Sequence, residues 1–429
     1  MDSHRFAKRV EQLAPSSIRK MMGIARRLAQ EGKTVYELNM GQPDIACISG
    51  FQEALTAKVR EGHICYSPFI GETYLRETFA RYLNHHFDQR KVKHLVVEKE
   101  NVLVTVGASH ALTSTFLALF DPGDEILCVE PFFSPYSGFM AVAGGVLKAI
   151  PTFAEQGFVL PDDDQIEKSI TPKTRGILFN SPSNPSGKIL SEDELTRLAR
   201  LALKHNLYII GDEVYREMIL GDQESTSLLQ VQLEAGLMEK FKNSFIIIDS
   251  ASKSFSLCGA RIGFVVGRAP IIDNIAKVVA HTVASVSDVV QYGVARAYEQ
   301  ILSDAEYVRN LRHTYRERLD VAMIAIKEYL PHVVAPRPDG AFYLMIQFPD
   351  LEDVNEYAMF LLERFNLGGE TVAVTPAASF YLTPGRGRNE VRLALVYEPE
   401  KIRRSIFIMG EAYKAFKVYR GLEKKASLR

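Results

Sequence analysis

The chain has 429 residues, beyond the size at which one hydrophobic core usually stops growing, so two domains are expected. Its 51 Lys and Arg balance 52 Asp and Glu for a formal net charge of -1, which leaves no electrostatic footprint for nucleic acid or an anionic membrane surface. Four scattered cysteines (Cys47, Cys65, Cys128, Cys258) form no Cys-x-x-Cys pair, and no histidines cluster at metal-ligand spacing, so no metal site is expected.

From the N-terminus, Met1 to Gln12 carries charges throughout and lacks the apolar centre of a signal peptide. The apolar stretch within Ser244–Asp249 is far too short to span a bilayer, so a cytoplasmic protein with reduced thiols is expected. No repeat, low-complexity tract or linker divides the chain. Asn101–Val106 is a β-rich run, followed by Gly107 and a helical pattern through Leu119. Asp121-Pro-Gly-Asp124 turns the chain into an apolar strand, Glu125–Val129, and Gly176–Phe179 is a second short buried strand. Ser191–His205 has helical periodicity opened by a capping box, Ser191 with Glu194. Leu207–Ile210 and Phe245–Ile248 read as further buried strands. This alternation of strands and helices predicts a mostly parallel α/β sheet. From about Leu302 onward, charged helices and a short strand, Ala341–Met345, suggest a smaller α+β unit.

Polar clusters follow the strands, where open α/β sheets bind their ligands. Lys253, in Ser250-Ala-Ser-Lys253, follows Phe245–Asp249, and Arg261 and Gly263 come soon after. Two hydroxyls, an amine and a guanidinium there suit a phosphate and an aldehyde; alone, Lys253 reads as a surface lysine. Asp212 ends a strand in Gly211-Asp-Glu-Val-Tyr215, either as a turn residue or as the partner of a protonated ring nitrogen. Tyr215, three residues on, is a packed aromatic or a donor to a phenolic oxygen. Asn184, in the proline-rich loop Asn180–Gly187, is a turn residue or a polar contact for cofactor and substrate. Gly107-Ala-Ser109 opens a helix whose N–H groups favour an anion, although Ser109 could equally be a plain cap.

In order along the chain, Gly41-Gln-Pro-Asp44, Tyr66-Ser-Pro-Phe-Ile-Gly71, Gly107-Ala-Ser109, Pro131-Phe-Phe133, Asn184-Pro-Ser-Gly187, Asp212-Glu-Val-Tyr215, Ser250-Ala-Ser-Lys253 with Arg261-Ile-Gly263, Gly340-Ala-Phe-Tyr343 and Arg392 form an ordered set. The chain thereby resembles the class I aminotransferases, fold-type I enzymes dependent on pyridoxal 5′-phosphate, from Asn39 to about Glu398. The resemblance implies a three-layer α/β/α large domain with a mostly parallel seven-stranded sheet, over residues 49–300. It adds a smaller α+β domain from residues 301–429, joined by the N-terminal segment 1–48.

The resemblance also implies roles. Lys253 would form the Schiff base with the cofactor aldehyde and then move the proton between substrate Cα and cofactor C4′. Asp212 would pair with the ring nitrogen, and Tyr215 and Asn184 would donate to the phenolic oxygen. Ser250, Ser252, Arg261 and the N–H groups of Ala108 and Ser109 would hold the phosphate, while Phe133 would stack on the ring. Arg392 would clamp the substrate carboxylate beside the Gly41 backbone; without the family, an arginine in a strand reads as a solvated charge. Tyr66 would reach the phosphate of a neighbouring subunit, implying a homodimer with shared sites. The reaction implied is ping-pong transfer of an amino group from an L-amino acid to a 2-oxo acid, 2-oxoglutarate being the expected acceptor. One aspartate-using branch has a lysine where this chain has Ser109. Another takes an arginine from the partner in the region matching Lys277–Gly293, which here holds no arginine. Both devices for a second carboxylate are therefore missing, and aspartate, aromatic and aliphatic donors stay open. His281 and Arg19 are candidate replacements, Arg19 reading otherwise as an exposed helix arginine. Alternatives on the same scaffold are a carbon–sulfur lyase or a cyclopropane-forming synthase. A non-catalytic cofactor-binding regulator lacks its DNA-binding segment here, and an NAD enzyme lacks its Gly-x-Gly-x-x-Gly.

Overall fold

Runs of Ile, Val, Leu and Phe build the centre of the molecule, because strands covered on both faces need apolar residues at every position. The computed structural model describes residues 7–11, 17–88, 95–224 and 226–427. Its strands are β1 Thr34–Glu37, β2 Val102–Thr105, β3 Glu125–Glu130, β4 Val146–Pro151, β5 Thr174–Asn180, β6 Tyr208–Asp212, β7 Phe245–Ser250, β8 Gly263–Gly267, β9 Tyr343–Gln347, β10 Glu370–Ala373, β11 Thr375–Pro376 and β12 Glu390–Ala394. The helices that bear on the site are α1 Ser17–Gln30, α2 Thr73–Asp88, α3 Gly107–Leu119, α4 Pro135–Val142, α5 Glu192–Lys204, α6 Ala251–Ser254, α7 Glu306–Tyr329 and α8 Pro399–Ser427.

Seven strands form one sheet in the order β2-β8-β7-β6-β5-β3-β4. All neighbours are parallel except β8, which runs antiparallel to β2 and β7. Successive side chains enter opposite cores. Ile209 and Ile247 pack with α2 and α5 residues such as Phe79 and Leu198 on one face. Ile210, Ile246 and Ile248 pack with Leu112, Phe116 and Met140 of α3 and α4 on the other. The expected three-layer α/β/α architecture is therefore present. The capping box also forms: Ser191 Oγ accepts from the Glu194 N–H, and Glu194 accepts from the Ser191 N–H. Such a cap contributes about 1 kcal/mol to the start of α5.

A third core gathers Leu28 and Leu38 with Leu319, Leu344, Val372, Leu393 and Ile406. It is built on the antiparallel sheet β11-β12-β9 and the parallel pair β1-β10, covered by α7 and α8. The strand expected from Ala341 starts instead at Tyr343. The reason is local: Ala341 adopts φ 56, a left-handed geometry in which a strand cannot continue.

Two sheet strands escape the sequence pattern. Edge strand β4 alternates between covered and exposed positions, and β8 is a short run between two glycines. Gly263 is required there, since a Cβ would sit 2.3 Å from the carbonyl carbon of Gly107 and 2.6 Å from the Ala108 nitrogen. Only a bare backbone lets β8 run this close to the first turn of α3.

Candidate active site

The parallel strands deliver Asn180, Asp212 and Ser250 to the same sheet edge, and a cavity of about 370 Å³ opens above them. Ala108, Ser109, Phe133, Asn184, Tyr215, Ser252, Lys253, Arg261 and Arg392 all line it, as does Gly41. Residues spread over about 350 positions of sequence, from Gly41 to Arg392, thus converge on one volume.

At one end lies the N-terminus of α3. Val106 precedes it and offers no side-chain cap, and Ser109, weighed above as a cap, does not serve as one. The first-turn N–H groups lack intrahelical acceptors, and their partial positive charge favours an anion. Arg261 belongs to the same end: a Cβ on Gly107 would lie 2.2 Å from its Nη2. The Arg261 backbone is left-handed (φ 55), and its Nη1 donates to the Cys258 carbonyl at 2.7 Å. Ser250 Oγ donates to the Ile262 carbonyl at 2.8 Å and accepts the Ser252 N–H at 3.1 Å. These donors make an anion cradle of phosphate character.

In the middle, the Lys253 amine donates to the Gly41 carbonyl at 2.7 Å, between the rings of Tyr215 and Phe342. Asp212 is 4% exposed, and no cation pairs with it among the described residues. Burial pushes its carboxyl up to about 7, while a hydrogen bond from Tyr136 and another from the Val214 N–H pull the other way. A buried carboxylate without a cation fits a ligand that brings its own N–H⁺. The Tyr215 hydroxyl lies 3.0 Å from that of Tyr343, and burial first, then Tyr343, holds it protonated as a donor. Phe133 is half-buried at the cavity wall, edge-on to Tyr136.

At the far end Arg392 is 2% exposed, which excludes the solvated-charge reading. Its Nη1 donates to Asn184 Oδ1 at 3.0 Å and its Nη2 to the Asn39 carbonyl at 2.8 Å; its Nε has no acceptor. No carboxylate pairs with it among the described residues, and burial lowers its pKa. A desolvated guanidinium with only neutral partners fits an incoming carboxylate.

The chain is matched over residues 33–403 by the family described as aminotransferase class I and II. The chain belongs to this family. Its relatives include an aspartate/prephenate aminotransferase of Thermus thermophilus, 31% identical over 94% of this chain and 97% of that protein. An aspartate aminotransferase of Bacillus subtilis is 29% identical over 88% and 92%. Among solved structures, the aspartate aminotransferase of Thermus thermophilus with maleate superposes with a TM-score of 0.84 and 28% identity, covering 95% of this chain and 99% of that one. The enzyme is thus a transaminase with the fold-type I architecture.

Three residues named from the sequence lie elsewhere or beyond description. Tyr66 is 91% exposed and does not line the cavity of the single chain. His281 is exposed, with its Nδ1 3.0 Å from the Lys277 carbonyl on its own helix. The Arg19 side chain lies outside the described residues. Conversely, Tyr136 and Tyr343 are built into the aminotransferase site without having been singled out. Tyr136 stands three residues after Phe133, a one-turn spacing that offered a signal. Tyr343 was visible only as the end of Gly340-Ala-Phe-Tyr343.

Proposed function

We propose that this aminotransferase works with pyridoxal 5′-phosphate held in the cavity, and uses Lys253 as its covalent and proton-carrying residue. The observation that carries the reading is complementary charge: a buried acid without a cation, Asp212, and a buried cation without an acid, Arg392, face one cavity that contains an amine. Ala108, Ser109, Ser250, Ser252 and Arg261 would take the phosphate, Asp212 the ring nitrogen, Tyr215 and Asn184 the phenolic oxygen, and Phe133 the ring face. When bound, the cofactor supplies an aldehyde for the amino group and a ring that draws electrons from the substrate Cα.

The protein's own contribution follows from its residues. Arg392 holds the α-carboxylate of amino acid and 2-oxo acid alike, orienting Cα toward Lys253. The Lys253 amine would take the Cα proton and, with the cofactor bound, return it at C4′. Asp212 keeps the proton on the ring nitrogen, where the buried surroundings strengthen its pull. Aspartate is named as the substrate of several relatives, and 2-oxoglutarate is the acceptor we assign. We also infer a homodimer, supported by the exposed stretch Ile64, Tyr66 and Phe69, 67%, 91% and 49% accessible.

The test is spectroscopic. Protein loaded with pyridoxal 5′-phosphate is mixed with single L-amino acids and its cofactor absorbance followed. Conversion to the amine form of the cofactor, reversed by 2-oxoglutarate, is expected, and Lys253→Ala should not turn over. Release of pyruvate and ammonia with the aldehyde form retained would replace transamination by lyase chemistry.

A further inference from the structure

A buried ionic cluster lies behind the strand ends and lines no part of the cavity. Arg216 is 1% exposed, with its guanidinium over the Phe87 ring of α2. Its Nε and Nη2 donate to Asp249 Oδ2 at 3.1 and 2.9 Å, and Nη2 lies 2.9 Å from Glu213 Oε2. Each acid adjoins a cavity residue. Glu213 follows Asp212 at the end of β6; its N–H donates to the Ile248 carbonyl and its Oε1 accepts the Leu228 N–H. Asp249 precedes Ser250, whose N–H donates to Asp249 Oδ1 at 2.6 Å.

We propose that Arg216 is a positioning residue for the transaminase: one guanidinium behind the sheet ties the strand end bearing Asp212 to the strand end that leads through Ser250 to Lys253. The inference rests on the cofactor roles assigned above. Alternation places the pairs back to back. Asp212 faces the cavity and Glu213 faces away; Ser250 lines the cavity and Asp249 does not. Backbone pairing of β6 with β7 already sets the strand register, with Asp212 opposite Ile248. Arg216 adds a side-chain tie across the two strand ends, beyond the last ladder bonds, without touching Asp212 or the phosphate hydroxyls.

Its charge has a second consequence. The Asp212 carboxyl is faced by Tyr136 from α4, Cys128 from β3, the Val214 N–H, Tyr215, and the charges of Asp249 and Glu213, while Asn180 from β5 donates to its backbone carbonyl. Both of these acids push the Asp212 carboxyl upward, beyond the effect of its burial. Arg216 is the cation set against both, and burial works against its own charge while Glu213 and Asp249 hold it up. Behind it, Glu217 is matched separately by Arg312, at 2.6 Å, and by His86, at 3.6 Å. Without Arg216, two buried carboxylates would stand uncompensated beside Asp212.

The experiment titrates native protein and three variants with pyridoxal 5′-phosphate from about pH 5 to about pH 8 and reads the dissociation constant by absorbance. Arg216→Lys keeps the charge and loses the fork, so the dissociation constant should rise about tenfold with the acid limb in place. Glu213→Gln removes one negative charge and should move the acid limb down by roughly half a pH unit. Arg216→Met should move the limb up by about one unit and weaken binding further. If that variant does not fold, the other two still decide. Dissociation constants within twofold of native and an unmoved limb in Arg216→Lys and Glu213→Gln would overturn the inference while leaving the cofactor reading intact. A native protein that fails to bind pyridoxal 5′-phosphate would overturn both.

Discussion

Arg216 and Arg392 are the largest side chains fully withdrawn from solvent among the described residues, yet their surroundings are opposite. Arg216 sits between two carboxylates on the closed side of the sheet. Arg392, on β12, faces the cavity; it hydrogen-bonds only to an amide oxygen and a backbone carbonyl, and its guanidinium lies 4.5 Å from the centre of the Tyr343 ring. Burying a guanidinium costs several kcal/mol, so each needs compensation. For Arg216 the fold supplies it; for Arg392 it has to come from substrate. The same residue type is thus structural where its acids are internal, and a recognition group where its acid is left to the ligand.

Four predictions probe that contrast, the largest effect first. Arg216→Met should lower the unfolding free energy by about 3–5 kcal/mol, because it strands two buried carboxylates. Arg392→Met should leave stability equal to or above native, since it removes a buried charge that no acid pairs; parallel urea titrations of the apoproteins read both. A loss for Arg392→Met as large as that for Arg216→Met would erase the distinction.

Turnover should reverse the ranking seen in stability. Arg392→Met should reduce kcat/KM by about two to three orders of magnitude, a loss of roughly 3–4 kcal/mol of transition-state binding. The loss should be similar for the amino acid and the 2-oxo acid, which share the α-carboxylate. Steady-state kinetics with both substrates varied measures it, and a loss confined to one of them would place the carboxylate elsewhere.

Asp212 gives a pH signature. Its folded pKa, about 7, lies above the ordinary 3.8, because burial disfavours the charge. The native apoprotein therefore keeps a proton that the unfolded chain releases. The sign follows: Asp212's contribution to stability is fully present below the ordinary carboxylate range and is lost as pH rises from about 4 to about 7. Asp212→Asn should flatten this fall, by on the order of 2–4 kcal/mol. Urea midpoints of both apoproteins across that window decide it; equal slopes would mean that Asp212 ionises freely.

The smallest effect belongs to Tyr136. Its hydroxyl donates to Asp212 and opposes the upward push of burial. Tyr136→Phe should weaken cofactor binding by roughly fivefold, the worth of about one buried hydrogen bond, most visibly at the acid end of the pH range. An equal weakening at every pH would indicate lost packing.

Much of this molecule was legible along the chain. The apolar runs before Asp212 and Ser250 mark buried strands, because few other elements place so many β-branched residues in a row. Ser191 and Glu194 announce the start of α5 through a cap that operates within one turn. The motifs around Lys253, Asp212, Asn184 and Arg392 name the site because each is read within a few residues. Strands β4 and β8 were not legible: one is a half-exposed edge, and the other is shaped by glycines that serve a close approach to α3.

Only the tertiary structure decided which charges are compensated. Arg216 reads simply as an arginine in sequence, and Arg392 stands out only through the family resemblance. The acids that answer Arg216 are 3 and 33 residues away, whereas the neutral partners of Arg392 are 208 and 353 residues away. Local sequence determines secondary structure and motif chemistry because those forces act over one turn or one strand. Burial and charge pairing depend on which segments the fold brings together, and in this protein that is what divides a structural arginine from one left open to substrate.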